Sequence, residues 1–442
     1  MSRRHAIALL AAGALSTVLA GCGSSSDEKE TPLSGRRISV LSFEQSLTAD
    51  PQVDDIRISL PQPYRNFDWP QSGGSAAKAM HHLEVGERLS PLWRTAIGSG
   101  SSSTKRLVNP PVVAEGMLYV VDTDAVVTAF NANSGDRIWR YQIDVKKEKK
   151  AVAFGGGVAV GDGRLYVTTG YGIIAALDAV SGREIWRDNF IIPFRGAPSY
   201  ADGRVFAVTQ DNQLVAYAAE DGAFLWDHVG IAESAGIMGT AAPAIVGDTV
   251  VAAFSSGEVV AFRAENGRVA WSDTLSRSGR ITALAALSDV DGDPVIDRGT
   301  VFAISHAGRM AAIDFASGSR LWENNLGGIS TPWVAGDFIY VVTADSEVVC
   351  IMRRDGRIRW VKQLQRFTDP DDRKGIIKWS GPVLASDRLF VTSSHGFVLT
   401  LSPYTGEVLS GERLSDGAFV PPIVANGTLY VLTDDGRIAA YR

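Results

Sequence analysis

Side chains able to do chemistry are few and scattered. The chain has two cysteines and six histidines in 442 residues. A Cys-built zinc site or an iron–sulfur cluster needs more thiolates than that, and two thiols cannot build a disulfide scaffold. The densest run of carboxylates is Asp289-Val290-Asp291-Gly292-Asp293. Alternating acids of this kind echo a calcium loop, but the EF-hand loop needs Glu at its twelfth position, which here is Thr300. Three readings stand for this run: a partner-binding loop, a plain acidic loop and a calcium site. Because Asp289 and Asp291 precede Pro294, the run is expected on an exposed inter-strand loop. His81-His82 has no second histidine cluster to complete a metal set and reads as a surface loop. Lys146-Lys147-Glu148-Lys149-Lys150 reads as a solvated loop, with anionic lipid or an acidic partner as the alternative. Gly155-Gly156-Gly157 reads as a turn rather than a phosphate cradle. No Gly-x-Ser-x-Gly, P-loop or His-Glu-x-x-His occurs. Cys350, inside an apolar run, reads as a small buried hydrophobe. The expectation is therefore no catalytic, cofactor or metal residue.

The other cysteine is placed differently. Arg3 and Arg4 precede the uncharged apolar run Ala6 to Ala20, which ends in Leu19-Ala20-Gly21-Cys22. That run is too short for a permanent membrane span, which needs roughly 20 residues. Residues 1–21 read as an export signal, and the four residues at its end resemble the bacterial lipobox. The resemblance implies cleavage before Cys22 and acylation of its thiol. Two or three acyl chains would hold a soluble domain at a membrane. Gly23, where Asp would retain a lipoprotein at the inner membrane, implies the periplasmic face of the outer membrane. Residues 22–75 read as a lipid-anchored tether and extended segment, whose stretch Tyr64 to Pro70 packs on the domain that follows.

Composition narrows the rest. Apolar residues make up 45% of the chain and charged residues 21%, ordinary for a folded protein. A net charge of −6 with no basic block argues against nucleic acid as a partner.

The elements that must carry any site come from a repeat. Trp93, Trp139, Trp186, Trp226, Trp271, Trp322 and Trp360 recur at intervals of 38 to 51 residues. A period near 45 is a signature of a propeller or another repeat array. Ahead of the tryptophans the pattern Ala-x-Asp-x-x-x-Gly-x-x-x-Trp recurs, as in Ala176, Asp178, Gly182 and Trp186, and again in Ala312, Asp314, Gly318 and Trp322. Cys350 takes the Ala place before Trp360, and Ser410 takes the Trp place after Thr400. Short β-branched and aromatic runs split by Asp-Gly and Asn-Gly turns are hairpins, and four strands per period make one blade. Seven full copies start near 110, 153, 197, 240, 295, 331 and 380. An eighth, at 420–442, lacks its last strand, while Pro91-Leu92-Trp93-Arg94 is a Trp strand without a blade. The expected fold is all-β: an eight-bladed propeller over 76–442, four antiparallel strands per blade, closed by the N-terminal strand. The seven tryptophans are expected to dock between blades above the turn glycines.

This eleven-residue pattern resembles the tryptophan-docking motif of quinoprotein dehydrogenases and their non-catalytic relatives. With a lipobox before one such domain, essentially the whole chain resembles the BamB family of outer-membrane assembly lipoproteins. The resemblance implies a non-catalytic periplasmic scaffold without cofactor. It would dock on the POTRA domains of BamA, the barrel subunit, and assist insertion of outer-membrane proteins. It also allows contact with unfolded outer-membrane proteins by strand addition. The family's docking acids fall at Asp289 and Asp291, and its apolar and basic docking residues near Ile237 and Met238. Met238 occupies the basic place, with Arg277 or Arg280 as the candidate replacement. The alternative is a periplasmic quinoprotein-like enzyme or a ligand sensor using the propeller axis. It would need a planar quinone, calcium and an Asp base, and its usual adjacent Cys pair is absent from the sequence.

Overall fold

A computed structural model describes residues 47–145, 152–232, 241–275 and 289–442. Among these residues the chain forms eight four-stranded antiparallel sheets. In chain order the blades span residues 112–142, 156–189, 199–229, 244–274, 295–324, 333–363 and 379–413. Blade 8 combines residues 423–441 with the strand Pro91–Ala96, which pairs with Arg437–Tyr441. This is the eight-bladed propeller expected from the repeat, closed by strands from both chain ends. The N-terminal strand is the outermost strand of blade 8 and covers the edge that Arg437–Tyr441 would otherwise expose.

The repeat residues explain the geometry. In every blade but the seventh, where Thr400 faces Ser410, the last two strands place a small residue opposite the tryptophan: Ala176 faces Trp186, Ala261 faces Trp271, and Cys350 faces Trp360. A register shift follows that pair in the same three blades. The indole then leaves its own blade and covers the turn glycine of the next. At Gly222 (φ +73°) a Cβ would lie 2.6 Å from the Trp186 ring, so only glycine fits. The Trp186 indole N–H donates to the Ala219 carbonyl at 3.0 Å. The same latch recurs at each of the seven repeat tryptophans, ending with Trp93 of blade 8 on Ala132 of blade 1. The Asp of the motif shapes the turn itself. Asp178 accepts from the backbone N–H and hydroxyl of Ser181, which hold its carboxyl below the usual range.

The boundary expected at residue 76 is not where the compact unit begins, which runs from Leu47 to Arg442. Part of the expected tether is built into the ring. The Asp50 N–H donates to the Ile358 carbonyl on the outer strand of blade 6. The chain then crosses to the axis, and residues 66–83 bond to the innermost strand of every blade in ring order. Asn66 binds Val424 of blade 8, Trp69 pairs with Val113 of blade 1, and Pro70 accepts from Val160 of blade 2. The Gln71 side chain binds Tyr200 of blade 3, and Ala76 and Ala77 accept from Ile245 and Ile296 of blades 4 and 5. His81 accepts from the Trp333 indole of blade 6, and Leu83 donates to Leu384 of blade 7. Every inner strand presents a free edge of backbone groups toward the axis, and this strap satisfies part of each. Trp69 is buried as the aromatic stretch requires, whereas Tyr64 and Phe67 stay exposed.

Candidate functional site

The strap floors a cavity of about 460 Å³. Trp69, Ser72, Gly73 and Lys78 form the floor. Segments leading into the inner strands of blades 1, 5, 6, 7 and 8 form the wall. Of the ten tryptophans, seven belong to the repeat and are spent on latches. The other three, Trp69, Trp333 and Trp379, all line this cavity. Trp69 and Trp333 are stacked, with centroids 6.2 Å apart and planes 18° from parallel.

Charge is concentrated at two levels. On the floor, Lys78 is buried, and its ammonium donates to Ser199 Oγ at 3.0 Å. Burial lowers its pKa to about 8 against the opposing field of Asp293. Asp293 accepts from Ser72 Oγ and the Ala242 N–H, both at 2.7 Å. Burial nevertheless pushes its carboxyl up. Toward the mouth, the Arg106 guanidinium lies 4.6 Å from the centroid of Phe419, and the Lys378 ammonium 5.9 Å from the same ring. Close to the wall, Arg195 Nη2 donates to Asp289 Oδ1 at 3.1 Å, Asp291 Oδ1 at 3.0 Å and the Val290 carbonyl at 3.1 Å.

That last cluster corrects an expectation. Asp289 and Asp291 do not lie on an exposed loop: they are 1% and 3% exposed and share one buried guanidinium. Two carboxylates alone could not be taken out of water at such low cost, and Arg195 supplies the countercharge. Burial still raises the Asp291 pKa, with Arg195 opposing it. Ile237, Met238, Arg277 and Arg280, with Lys146 to Lys150 and Cys22, lie outside the described residues. The histidine pair is also corrected, because His82 is buried. Its Nδ1 lies 2.7 Å from the Pro61 carbonyl and its Nε2 accepts from the Asp387 N–H, which requires the Nδ1–H tautomer. Gly156 and Gly157 enter the inner strand Gly156–Gly161 instead of making a turn. A Cβ at Gly157 would meet Ala197 at 2.7 Å.

Among the described residues no group of three or more His, Cys, Asp or Glu is arranged to hold a metal ion. Asp289 and Asp291 are committed to Arg195, and Asp293 to Ser72 and Ala242. Cys350 is fully buried in a strand, where burial raises its thiol pKa. These side chains do not fit a calcium-bound quinone. Sequence reasoning passed over Arg195, Lys78, Arg106 and Phe419, and only the tryptophans outside the repeat were available as a signal for the cavity.

A ring of Trp-latched four-stranded blades around a plugged axis defines the chain as a propeller of the quinoprotein-like class. The profile of the family described as outer membrane protein assembly factor BamB matches residues 89–151, 142–362 and 368–442. The chain therefore belongs to the BamB family. The BamB proteins of Salmonella typhimurium and Escherichia coli are each 28% identical to it. The first match covers 79% of this chain and 88% of the relative, and the second 78% and 87%. Among solved structures, BamB from Moraxella catarrhalis superposes with a TM-score of 0.68 at 19% identity. That match covers 80% of this chain and all of the other. A europium-containing methanol dehydrogenase reaches 0.64 at 15% identity, covering 83% and 89%, and shares the fold.

Proposed function

We propose that the chain is a non-catalytic scaffold for outer-membrane protein assembly, anchored through Cys22 at the periplasmic face of the outer membrane. The observation that carries this reading is family membership over nearly the whole propeller. Its relatives are named as assembly factors. The commitment of the axial acids to protein partners also speaks against the enzyme alternative. Its partner in this reading is BamA, bound through the POTRA domains, with unfolded outer-membrane chains as a further contact. Ile237 and Met238 contribute apolar contact. Asp289 and Asp291 serve docking indirectly: with Arg195 they fix the end of the connection between blades 4 and 5. Co-purification of BamA from solubilised membranes tests the assignment. Ile237→Asp should reduce recovery of BamA at unchanged expression, because it places an unpaired charge at the centre of an interface. Equal recovery would move the interface to another face.

A further inference from the structure

We propose that the face of the ring crossed by the strap rests, over blades 7 and 8, on the surface of a lipid bilayer. The inference rests on the Cys22 anchor and goes beyond it, because an anchor alone does not orient the ring.

Three observations carry it. The first is where the anchored chain joins the propeller. The turns that follow the first and third strands of a blade open on one face, and the strap lies there. Asn426, in such a turn, donates its N–H to the Asn66 carbonyl, and Ser386, in another, to the Leu83 carbonyl. Asp50 meets the ring on the same face, at the first residue of the outer strand Ile358–Gln363. The connections between blades, including the one that holds Asp289 and Asp291, leave from the opposite face. At most about 90 Å of chain separates Cys22 from Leu47. Either face can therefore reach lipid, and surface chemistry decides which one does.

The second is an aromatic patch on the strap face. Phe67 is 69% exposed, and Tyr64, Leu92, Tyr404 and Val408 are exposed around it. Two residues before the glycine under each latch, blades 1 to 6 carry Asn133, Val180, Glu220, Glu265, Ala316 and Arg354. Blade 7 alone carries an aromatic residue there, Tyr404. A run of hydrogen bonds ties that turn to the strap. The Tyr404 hydroxyl donates to the Asp387 carboxylate, the Asp387 N–H to His82 Nε2, and the Tyr64 N–H to the His82 carbonyl at 3.0 Å.

The third is the composition of the patch. Phenylalanine offers apolar area, while tyrosine pairs an apolar ring with a hydroxyl that stays among headgroups, as aromatic residues do at membrane–water interfaces. The Arg65 guanidinium lies 5.9 Å from the centroid of Phe67, and exposed Arg57 acts on Tyr404 through its charge. Long cationic side chains lay their stems on apolar surface and keep their heads in the polar layer. The strap is fixed by Asn66 and Trp69, and Phe67 belongs to no part of the core. Attachment at Cys22 keeps the patch close to lipid, so that a few side chains suffice for the contact.

The test uses the lipidated full-length chain in nanodiscs of phosphatidylethanolamine and phosphatidylglycerol, without other protein and with an energy acceptor on the headgroups. Cys22 is acylated in this reading and Cys350 is buried, so an introduced cysteine takes the donor dye alone. Glu115→Cys reports the strap face and Asp211→Cys the opposite one, both at exposed turns. Strands of six residues at about 3.3 Å each separate the faces by about 20 Å, so transfer should be about twofold or more stronger from position 115. Phe67→Ser with Tyr404→Ser should bring the two signals together while leaving the melting temperature unchanged. Co-elution with the discs reads the anchor separately. A chain that does not co-elute would overturn the anchor and this proposal with it. Co-elution with equal transfer from the two positions, or a difference undiminished in the double variant, would overturn this proposal alone and assign the patch to a protein partner.

Discussion

Arg195 and Asp291 stand 96 residues apart in sequence and 3.0 Å apart in space, joining the connection between blades 2 and 3 to that between blades 4 and 5. Asp289 shares the same guanidinium nitrogen. Removing one side of this buried cluster strands the other. Arg195→Met should cost about 3–5 kcal/mol, as should the pair Asp289→Ala and Asp291→Ala. The triple variant should lose less than the sum, because charge leaves with countercharge. Urea unfolding of the four proteins decides this, and additive losses would show that the cluster is not a unit. Any loss of BamA recovery in the double Asp variant must be read against its own stability.

Lys78 makes stability depend on pH in the alkaline range. Burial lowers its pKa from the ordinary 10.5 to about 8 in the folded chain. Below pH 8 both states carry the proton and the folded state bears the burial cost. Between pH 8 and 10.5 the unfolded chain binds more protons, so stability rises with pH. The gain is about 3 kcal/mol at most, at 1.36 kcal/mol per unit. Unfolding curves at pH 7.5 and 10.5 should show it in the wild type and not in Lys78→Met. Parallel pH dependence in the two proteins would contradict it.

The turn glycines separate backbone cost from latch cost. Gly163 (φ +70°) has nothing within 4 Å of a built Cβ, whereas at Gly222 the Trp186 ring lies at 2.6 Å. Gly163→Ala should cost about 1–2 kcal/mol, the left-handed backbone penalty. Gly222→Ala should cost more, because the indole must move. Trp186→Ala should cost about 3–5 kcal/mol. Equal losses at the two glycines in thermal melts would dissociate the latch from the close contact.

Blades 7 and 8 meet without a tryptophan latch. Ser410 occupies the Trp place, and all six residues of Val408–Arg413 are exposed. The chain at 85–90 bridges the two blades, and at its end Ser90 exchanges backbone hydrogen bonds with Arg442 beside the closing strand pair of blade 8. Ser386 Oγ donates to the Val85 carbonyl, and Arg388 donates to the carbonyls of Gly86 and Glu87. Hydrogen exchange should be faster in Val408–Arg413 than in Val269–Thr274, whose Trp271 is latched, and faster again in Arg388→Gln. Deleting residues 84–98 removes both this clasp and the closing strand, and should yield aggregates on size exclusion. A monomeric deletion variant with an unchanged melting temperature would show that closure is dispensable.

Cys22→Ser should leave the propeller folded and release it from the membrane fraction, because one acylated thiol is the proposed anchor. Fractionation in high salt reads the result. Retention with the outer membrane would assign the attachment to a protein partner.

The ring was legible in the residues because each latch is nearly local. Ala, Asp, Gly and Trp act within eleven positions, and the turn glycine lies one period from the indole that covers it. Incomplete copies at the two ends then required closure of blade 8. Period and turn chemistry carry that information without any knowledge of distant contacts. Arg195 with Asp289 and Asp291, the strap at 66–83 and the meeting of Trp69, Trp333 and Trp379 follow no period. Each joins segments separated by one or more whole blades, where local pattern is silent. Their place before Pro294 put Asp289 and Asp291 on an exposed loop, whereas the guanidinium of Arg195, arriving from another connection, offsets the cost of burying them. The sequence by itself thus determined the propeller and how it closes. Tertiary structure decided which charged groups are buried and what surrounds the axis, because burial is set by what packs against a segment and not by the segment itself.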